Sequence, residues 1–318
     1  MMGRPTVVVT GAGGFVAPWV IREFRASGYD VRGVDRARLI GGDQNENVRA
    51  NLADPEAARL ALSDLPESTV GIIHLAAYSH VGKSWDSPAA VFDANVTAAV
   101  NLFAAAAKVL PGRRFLFISS AEVYGRMNPE ELPFDESTVP TPATPYGVSK
   151  LVAEHCLQSL AAHSELELVI ARPTNHTGPG QSSQFAVPAF ARRVAALERG
   201  DIDAIPHGNL ETRRDFLDVR DVAHAYRAIF EHGECGQAYV VSSGRSWTMR
   251  SVLESLCRLA GVEPRLEASP ALYRSTDILD VRGSSERLYA LTGWEPPFQL
   301  EATLADVLAE AREQYVAR

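Results

Sequence analysis

The chain has 318 residues, enough for roughly two domains of ~150 residues, so its core needs no disulfide or metal staple. Hydrophobic residues make up 46% of the chain and charged residues 22%, which excludes a largely disordered protein. The net charge of −8 comes with acidic and basic residues mixed along the chain. This pattern argues against nucleic acid and against an anionic membrane surface as partners.

The cysteines, the histidines and the apolar stretches indicate which bound metals and which cellular location to expect. The three cysteines, Cys156, Cys235 and Cys257, are too few and too scattered for a disulfide framework or a metal knuckle. The eight histidines show no paired ligand spacing, so we expect no metal site. No secretory signal fits the first residues, and the most apolar stretch, residues 98–110, is shorter than the ~20 residues of a membrane span. We expect a cytoplasmic protein.

The first half of the chain alternates between strand and helix patterns. Thr6–Thr10 is a β-branched run typical of a strand buried on both faces, and residues 14–27 place apolar side chains at helical spacing. Further strands are predicted at residues 31–34, 70–75, 115–118 and 166–171. Helices are predicted at residues 88–109 and 145–162. This alternation predicts an α/β fold, a Rossmann-type doubly wound parallel sheet.

The second half is less regular, because prolines and glycines interrupt short helical stretches after Arg172. We predict a dinucleotide-binding Rossmann domain over residues 1–172 and a smaller C-terminal substrate-binding lobe over residues 173–318. One return strand, Ala238–Val241, is expected to rejoin the first domain. The boundary is therefore not a single linker.

A glycine cluster separates the first strand from the first helix. Gly11, Gly13 and Gly14 let the backbone turn tightly and approach a pyrophosphate at the helix N-terminus. Ala17 stands at the last glycine position of the usual pattern, where alanine is tolerated. Because the cluster follows a strand and opens a helix, it predicts a dinucleotide site and not a plain turn.

Asp35 ends the second predicted strand about twenty residues after these glycines, where a carboxylate can accept hydrogen bonds from the ribose hydroxyls. This position favours NAD(H) over NADP(H). Arg36 and Arg38 lie beside it and could hold a 2′-phosphate, so NADP(H) stays open.

A candidate catalytic group follows two later elements. Tyr146 and Lys150 lie four residues apart at the start of a predicted helix, so their side chains share one face. An ammonium there can stabilise a phenolate. Ser120 follows the fourth predicted strand, and loops at strand C-terminal ends line the crevice of a doubly wound sheet.

With these motifs, the chain resembles the nucleotide-sugar branch of the extended short-chain dehydrogenase/reductases. The resemblance spans nearly the whole chain. Within this branch, the motifs are most similar to those of GDP-4-keto-6-deoxy-D-mannose reductases and GDP-mannose 4,6-dehydratases. Its further motifs are His74 to Val81, Asn95, Arg172 to Gln181, Gly208 to Leu210, Arg214 to Phe216, Arg274 with Asp277, and Thr292 to Trp294.

The resemblance implies roles for individual residues. The catalytic set is Ser120, Tyr146 and Lys150, with Glu122 as a further candidate. The cofactor-binding set is Gly11, Gly14, Phe15, Val16, Asp35, Leu52, Leu75, Ala76, Ala77, Tyr78, Asn95, Tyr146, Lys150, Pro173 and His176. The substrate-binding set is Ser79, His80, Ser120, Asn175, Val187, Arg214 and Arg274.

Some of these residues could have a purely structural role. His74 is expected to be a core histidine with its hydrogen bonds satisfied, and a structural hydrogen bond stays open for His80 and His176. Either Arg192 or Arg193 could reach a phosphate, and both could be a solvated helix face.

The reaction expected is NAD(P)H-dependent reduction of a nucleoside-diphosphate 4-keto-6-deoxyhexose, with GDP as the nucleotide. Dehydratases that the chain resembles carry a serine or aspartate before the glutamate, where this chain has Ala121 before Glu122. A 4,6-dehydratase or 4-epimerase stays open as the alternative, as does a dinucleotide sensor without activity. The resemblance also implies a homodimer joined by the helices that start near Pro88 and Pro145. Lys150 and the nicotinamide are expected to lower the pKa of Tyr146 toward working pH.

Overall fold

The computed structural model describes residues 3–37, 47–263, 265–273 and 278–316. The strands are β1 Thr6–Thr10, β2 Asp30–Asp35, β3 Asn47–Arg49, β4 Thr69–His74, β5 Arg114–Ile118, β6 Glu167–Pro173, β7 Asn175–Thr177, β8 Ile205–His207, β9 Arg213–Asp218, β10 Ala238–Val241, β11 Ser246–Thr248, β12 Leu266–Ala268 and β13 Asp280–Val281. The helices are α1 Ala17–Ala26, α2 Pro55–Ala61, α3 Pro88–Phe92, α4 Ala98–Val109, α5 Pro145–Ala161, α6 Ala186–Glu198, α7 Val219–His232, α8 Met249–Ala260, α9 Glu286–Thr292 and α10 Leu300–Val316.

A seven-stranded parallel sheet forms the centre of the molecule, in the order β10-β6-β5-β4-β1-β2-β3. From β1 the chain builds outward through β2 and β3, and it then returns to add β4 on the other side. The carboxyl ends of β1 and β4 therefore form the switch point at which doubly wound sheets bind ligands. The predicted Rossmann-type fold is confirmed, and Ala238–Val241 lies at one edge of this sheet beside β6.

Strand β1 shows why the sheet carries helices on both faces. All five of its residues are buried. Val7 and Val9 pack into a core with α1 and α7, whereas Val8 faces the opposite core with α2, α4 and α5. Successive side chains of a strand point to opposite faces, so an uninterrupted apolar run requires cover on both sides.

The helical run Pro88–Val109 differs from a plain α-helix. Between α3 and α4, Asp93–Thr97 adopts wider, π-helical turns, a feature often found at functional sites. At 22 residues the run is longer than the apolar stretch considered above, and its length and composition would suffice for a membrane span. It packs against α2 and α5 and buries Leu102 and Phe103 in the core, as a core helix does.

The remaining elements form a second cluster beside the carboxyl ends of the central sheet. Helices α6, α8 and α10 pack around a core of their own. Strand β9 pairs with β7, β11 and β13, and β12 pairs with β8. The pattern of the sequence did not predict these strands, because most of them have only two or three residues.

Candidate active site

The glycine turn between β1 and α1 is shaped for close approach. Gly11 has φ of +68°, and a Cβ atom there would lie 2.7 Å from the backbone nitrogen of Ala76. Gly14 donates its N–H to the carbonyl oxygen of Gly11 at 2.9 Å, which closes the turn. Helix α1 begins at Ala17 and not at Gly14, has no side-chain cap, and carries no acidic residue in its first turn. Its N-terminal N–H groups therefore suit an anion such as a dinucleotide pyrophosphate.

The carboxylate of Asp35 has a bracing role besides the predicted one. Its oxygens accept hydrogen bonds from the backbone N–H groups of Gly13 at 3.0 Å and Ala37 at 2.9 Å. Asp35 thus holds the glycine turn against the end of β2. Arg36 lines the same cavity, and Arg38 lies outside the described residues.

Ser120, Tyr146 and Lys150 come together at the carboxyl end of β5. The Ser120 hydroxyl oxygen accepts the N–H of Glu122 at 3.2 Å, and the Lys150 ammonium donates to the carbonyl oxygen of Ile118 at 2.7 Å. Burial lowers the pKa of Lys150 to about 7, and the charge of Glu154 opposes this shift. Lys150 is therefore poised to gain or lose a proton near neutral pH.

The expected lowering of the Tyr146 pKa is not found in the protein alone. Burial raises the pKa of the phenol, a hydrogen bond with Ser120 opposes the rise, and the charge of Glu122 adds to it. In the protein without the nicotinamide, desolvation of the phenolate outweighs the contacts that favour it. The lowering expected from Lys150 together with the bound nicotinamide stays a prediction. Tyr146 is protonated over the whole neutral range, as a proton donor must be.

Glu122 lies between Tyr146 and the second cluster. Burial raises the pKa of its carboxyl group, and the charge of Arg214 lowers it. Arg214 in turn donates to the carbonyl oxygens of Arg213 and Ile278, each at 2.7 Å. Glu122 is thus the acidic group within electrostatic range of both the phenol and this arginine.

Asn95 and His74 differ from what the sequence suggested. Asn95 is buried, and no part of it lines the cavity; its amide bonds the backbone of Tyr78 and the hydroxyl of Ser149. It supports the cofactor side of the cavity from behind. His74 Nδ1 pairs with the Thr10 hydroxyl at 2.7 Å, but the buried Nε2 has no hydrogen-bond partner, so the ring is only half satisfied. Burial, with the charge of Lys150, lowers its pKa to about 3.

The two motif histidines lie on different walls. The His176 ring stacks on Phe15 of the glycine turn at 6.2 Å and its Nδ1 bonds the carbonyl oxygen of Thr174 at 3.1 Å. His80 accepts the N–H of Lys83 at 3.1 Å, and its ring lies 5.5 Å from that of Phe185. Each therefore has a structural contact and also faces the cavity.

One cavity of about 1080 Å³ joins these groups. It runs from the glycine turn, past Ser120 and Tyr146, to Arg214 and helix α6. Of the predicted cofactor and substrate residues in the described ranges, all except Asn95 line it. Arg274 and Asp277 lie outside the described residues.

The structure separates two arginines that the sequence could not. Arg192 donates to the hydroxyl of Ser183 at 2.8 Å. Arg193 lines the cavity on the same face of α6 as Val187 and Phe190, and it makes no hydrogen bond or ion pair within the part of the chain that the structure describes. It is half-buried, and burial lowers its pKa. A cation in this position lacks an anion that a ligand can supply.

Comparison with known proteins agrees with this geometry. The family model for GDP-mannose 4,6 dehydratase matches residues 8–307. GDP-6-deoxy-D-mannose reductase of Pseudomonas aeruginosa is 36% identical over 264 residues, which cover 82% of this chain and 86% of the relative. The structure of RMD from Pseudomonas aeruginosa complexed with NADPH superposes with a TM-score of 0.86 at 31% identity, covering 98% and 99% of the two chains. UDP-glucose 4-epimerase of Thermus thermophilus in complex with NAD gives 0.84 at 26% identity, covering 96% and 99%.

Proposed function

The chain belongs to the GDP-mannose 4,6-dehydratase family, and from this membership we propose that it reduces a nucleoside-diphosphate 4-keto-6-deoxyhexose with NAD(P)H. GDP is the proposed nucleotide, since the similar Pseudomonas aeruginosa relative is a GDP-6-deoxy-D-mannose reductase. The cavity supports this assignment, because it joins a dinucleotide turn, a Ser/Tyr/Lys group and an arginine-bearing wall.

Ala121 is the observation that carries the choice of reduction over dehydration. It is buried between Ser120 and Glu122 on the cavity wall. Elimination of water from the hexose needs a base at C5 and an acid at C6, and a methyl group at position 121 cannot donate that proton. Ketone reduction needs a hydride, which NAD(P)H would supply, and one proton donor, for which Tyr146 is placed in the cavity.

The residues act on the C4 carbonyl as follows. The glycine turn and Asp35 would hold the pyrophosphate and the ribose of the reduced cofactor, which would supply the hydride. Tyr146 donates its phenolic proton to the carbonyl oxygen, so the C4 ketone becomes a hydroxyl. Ser120 hydrogen-bonds the same oxygen as negative charge develops on it, and the buried setting strengthens that interaction. The Lys150 ammonium stabilises the phenolate that remains.

The diphosphate would be held by the arginine-bearing wall. Arg214 and Arg193 both line this end of the cavity, and a diphosphate supplies the anion that Arg193 lacks. Fixing the diphosphate would orient the sugar toward Tyr146. This is the role we propose for the C-terminal lobe over residues 173–318, with Ala238–Val241 belonging to the dinucleotide-binding domain over residues 1–172.

We propose NAD(H) as the preferred cofactor, because the Asp35 carboxylate at the end of β2 can accept ribose hydroxyls and would repel a 2′-phosphate. Arg36 on the cavity wall favours the opposite choice, and the Pseudomonas aeruginosa neighbour is complexed with NADPH. Competitive binding of the two reduced cofactors to the same protein decides between them.

We further propose a cytoplasmic homodimer. The run Pro88–Val109 and α5 lie side by side, and the run leaves the small side chains of Ala89, Ala90 and Ala104 exposed. Small residues allow the helices of two subunits to approach closely.

Cofactor stoichiometry tests the proposed reaction. A reductase consumes one reduced cofactor for each hexose converted and stops when the cofactor is exhausted. A dehydratase or epimerase oxidises and re-reduces its substrate, so it turns over without added reduced cofactor. A dinucleotide sensor binds the cofactor and converts no nucleotide-sugar, which the presence of Ser120, Tyr146 and Lys150 in one cavity argues against.

A further inference from the structure

A buried carboxylate lies one helical turn beyond Lys150. Tyr146, Lys150 and Glu154 follow one another at intervals of four along α5, so they share one face of the helix. The Glu154 side chain is 1% exposed. A charge this deeply buried is destabilising unless it is paired, so its partners show what it does.

One partner of Glu154, Ser119, directly follows β5, and the other, Arg172, lies on the neighbouring strand β6. One oxygen accepts the hydroxyl of Ser119 and the Nε–H of Arg172, the latter at 3.1 Å. The other oxygen accepts Nη2 of Arg172 at 2.6 Å. Arg172 also donates to the phenol oxygen of Tyr124 at 2.9 Å. The bidentate pair fixes the orientation of the Glu154 side chain.

These bonds reach the catalytic group through the backbone. Ser119 directly precedes Ser120, and its N–H donates to the carbonyl oxygen of Ala171 at 2.8 Å. Glu154 therefore ties the end of β5, which carries Ser120, to the helix that carries Tyr146 and Lys150. Loss of this tie would let the hydroxyl and the phenol move apart.

Several elements that surround Lys150 carry titratable groups. His74 on β4 is buried, with its pKa lowered to about 3, so it is neutral near pH 7. Arg172 on β6 is engaged by Glu154 and Tyr124. Glu122, after β5, acts on Tyr146. Glu154 is the acidic group whose charge raises the pKa of Lys150 against burial.

We propose that Glu154 is a positioning residue: it lies on the helix face of Tyr146 and Lys150, acts on the Lys150 ammonium from there, and through Ser119 anchors Ser120 opposite Tyr146. For the use of Tyr146 and Lys150 this rests on the proposed reduction. The charge effect on Lys150 itself can be measured without turnover.

The chain offers a simple direct test, because it contains three lysines, Lys83, Lys108 and Lys150. Protein labelled with ¹³C at the lysine Cε gives one signal for each, and Lys83→Arg and Lys108→Arg assign them. We expect Lys150 to titrate near pH 7 in the wild type. In Glu154→Gln its midpoint falls by about one pH unit or more, which is the size of shift that an opposite charge close by produces. Lys83 and Lys108 serve as internal controls.

Two further variants keep the test decisive. Glu154→Asp retains the charge and should leave the Lys150 midpoint within a few tenths of the wild-type value. Glu154→Gln leaves Arg172 buried without its partner and can unfold the protein. The double variant Glu154→Gln/Arg172→Met removes both charges, so its Lys150 midpoint should also fall, but by less than in Glu154→Gln, because the opposing positive charge of Arg172 is lost as well. An unchanged midpoint in a folded variant without the Glu154 charge overturns the proposal.

The pH profile of reduction distinguishes positioning from mere stability. In Glu154→Gln the alkaline limb of kcat/KM should move to lower pH by the same amount as the Lys150 midpoint. A merely structural role would lower the rate equally at all pH values and leave the limb in place. If the Lys150 midpoint falls but no nucleotide-sugar is reduced even by wild type, the proposed function fails and the role of Glu154 toward Lys150 stands.

Discussion

Replacement of Arg193 by glutamine should weaken binding of the nucleoside diphosphate. The side chain lines the cavity without a partner among the described residues, so the variant loses no internal ion pair and should fold normally. A hydrogen bond to a charged group contributes about 1.5–3 kcal/mol. Since Arg193 is half-buried and solvent screens part of its charge, we take the lower value. About 1.4 kcal/mol corresponds to tenfold in Kd, so the Kd for GDP should rise about tenfold.

Calorimetric titration of the cofactor-free protein measures this effect directly. Arg192→Gln is the matched control, because Arg192 is the next residue on α6 and bonds Ser183. Its Kd for GDP should stay near the wild-type value. Guanosine carries no phosphate, so its weaker binding should be equal in wild type and Arg193→Gln. Equal GDP affinity in wild type and Arg193→Gln, or an equal loss for guanosine, would refute the assignment of Arg193 to the diphosphate.

Four other outcomes are expected. Tyr146→Phe should lower the rate on the order of 10²- to 10⁴-fold by removing the proton donor, whereas Glu122→Gln should lower it far less; equal losses in steady-state assays would contradict reduction. Asp35→Asn should reduce the ratio of NADH to NADPH affinity in competitive titrations, and an unchanged ratio would mean that the ribose lies elsewhere. Burial lowers the pKa of His74 to about 3, so the stability that the neutral ring contributes is present above pH 6.5 and is lost as the pH falls toward 3, at up to about 1.4 kcal/mol per pH unit. The free energy of unfolding of His74→Phe should therefore fall less steeply with decreasing pH than that of the wild type. Equal slopes for the two proteins would contradict this. Light scattering should report a dimer at micromolar concentration, and a monomer would count against a dimer interface formed by Pro88–Val109 and α5 of two subunits.

The central sheet could be predicted because its strands and its glycine turn are determined by patterns within short segments of the sequence. A β-branched run such as Thr6–Thr10 has to be covered on both faces, and a glycine turn before a helix fixes where the ligand edge lies. The strands of the second cluster could not be predicted in this way. Strand β13, for example, has two residues, and its pairing with β9 depends on chain that is distant in sequence.

The candidate site was predictable where spacing along one element determines which side chains meet. The helical repeat predicts that Tyr146 and Lys150 share one face, and Ser120 after the fourth predicted strand makes the group specific. Asn95 was assigned to the cofactor through the family resemblance, and sequence cannot tell which side of a backbone segment a buried amide contacts.

Other parts of the site depend on contacts between elements. The packing of α6 on α8 and α10 determines which face of α6 lines the cavity. That face carries Arg193, whereas Arg192 bonds Ser183. Glu154 continues the spacing of four from Lys150 along α5, yet its role follows from Arg172, which lies on strand β6.

Incubation with two substrates tests the central proposal most directly. GDP-4-keto-6-deoxy-D-mannose and GDP-mannose are each supplied with and without NADH or NADPH, and the sugar products are identified. We predict that the keto sugar is reduced at C4 only when reduced cofactor is added, and that GDP-mannose is left unchanged. Formation of a 4-keto product from GDP-mannose without added reduced cofactor would contradict reduction and identify the protein as a dehydratase.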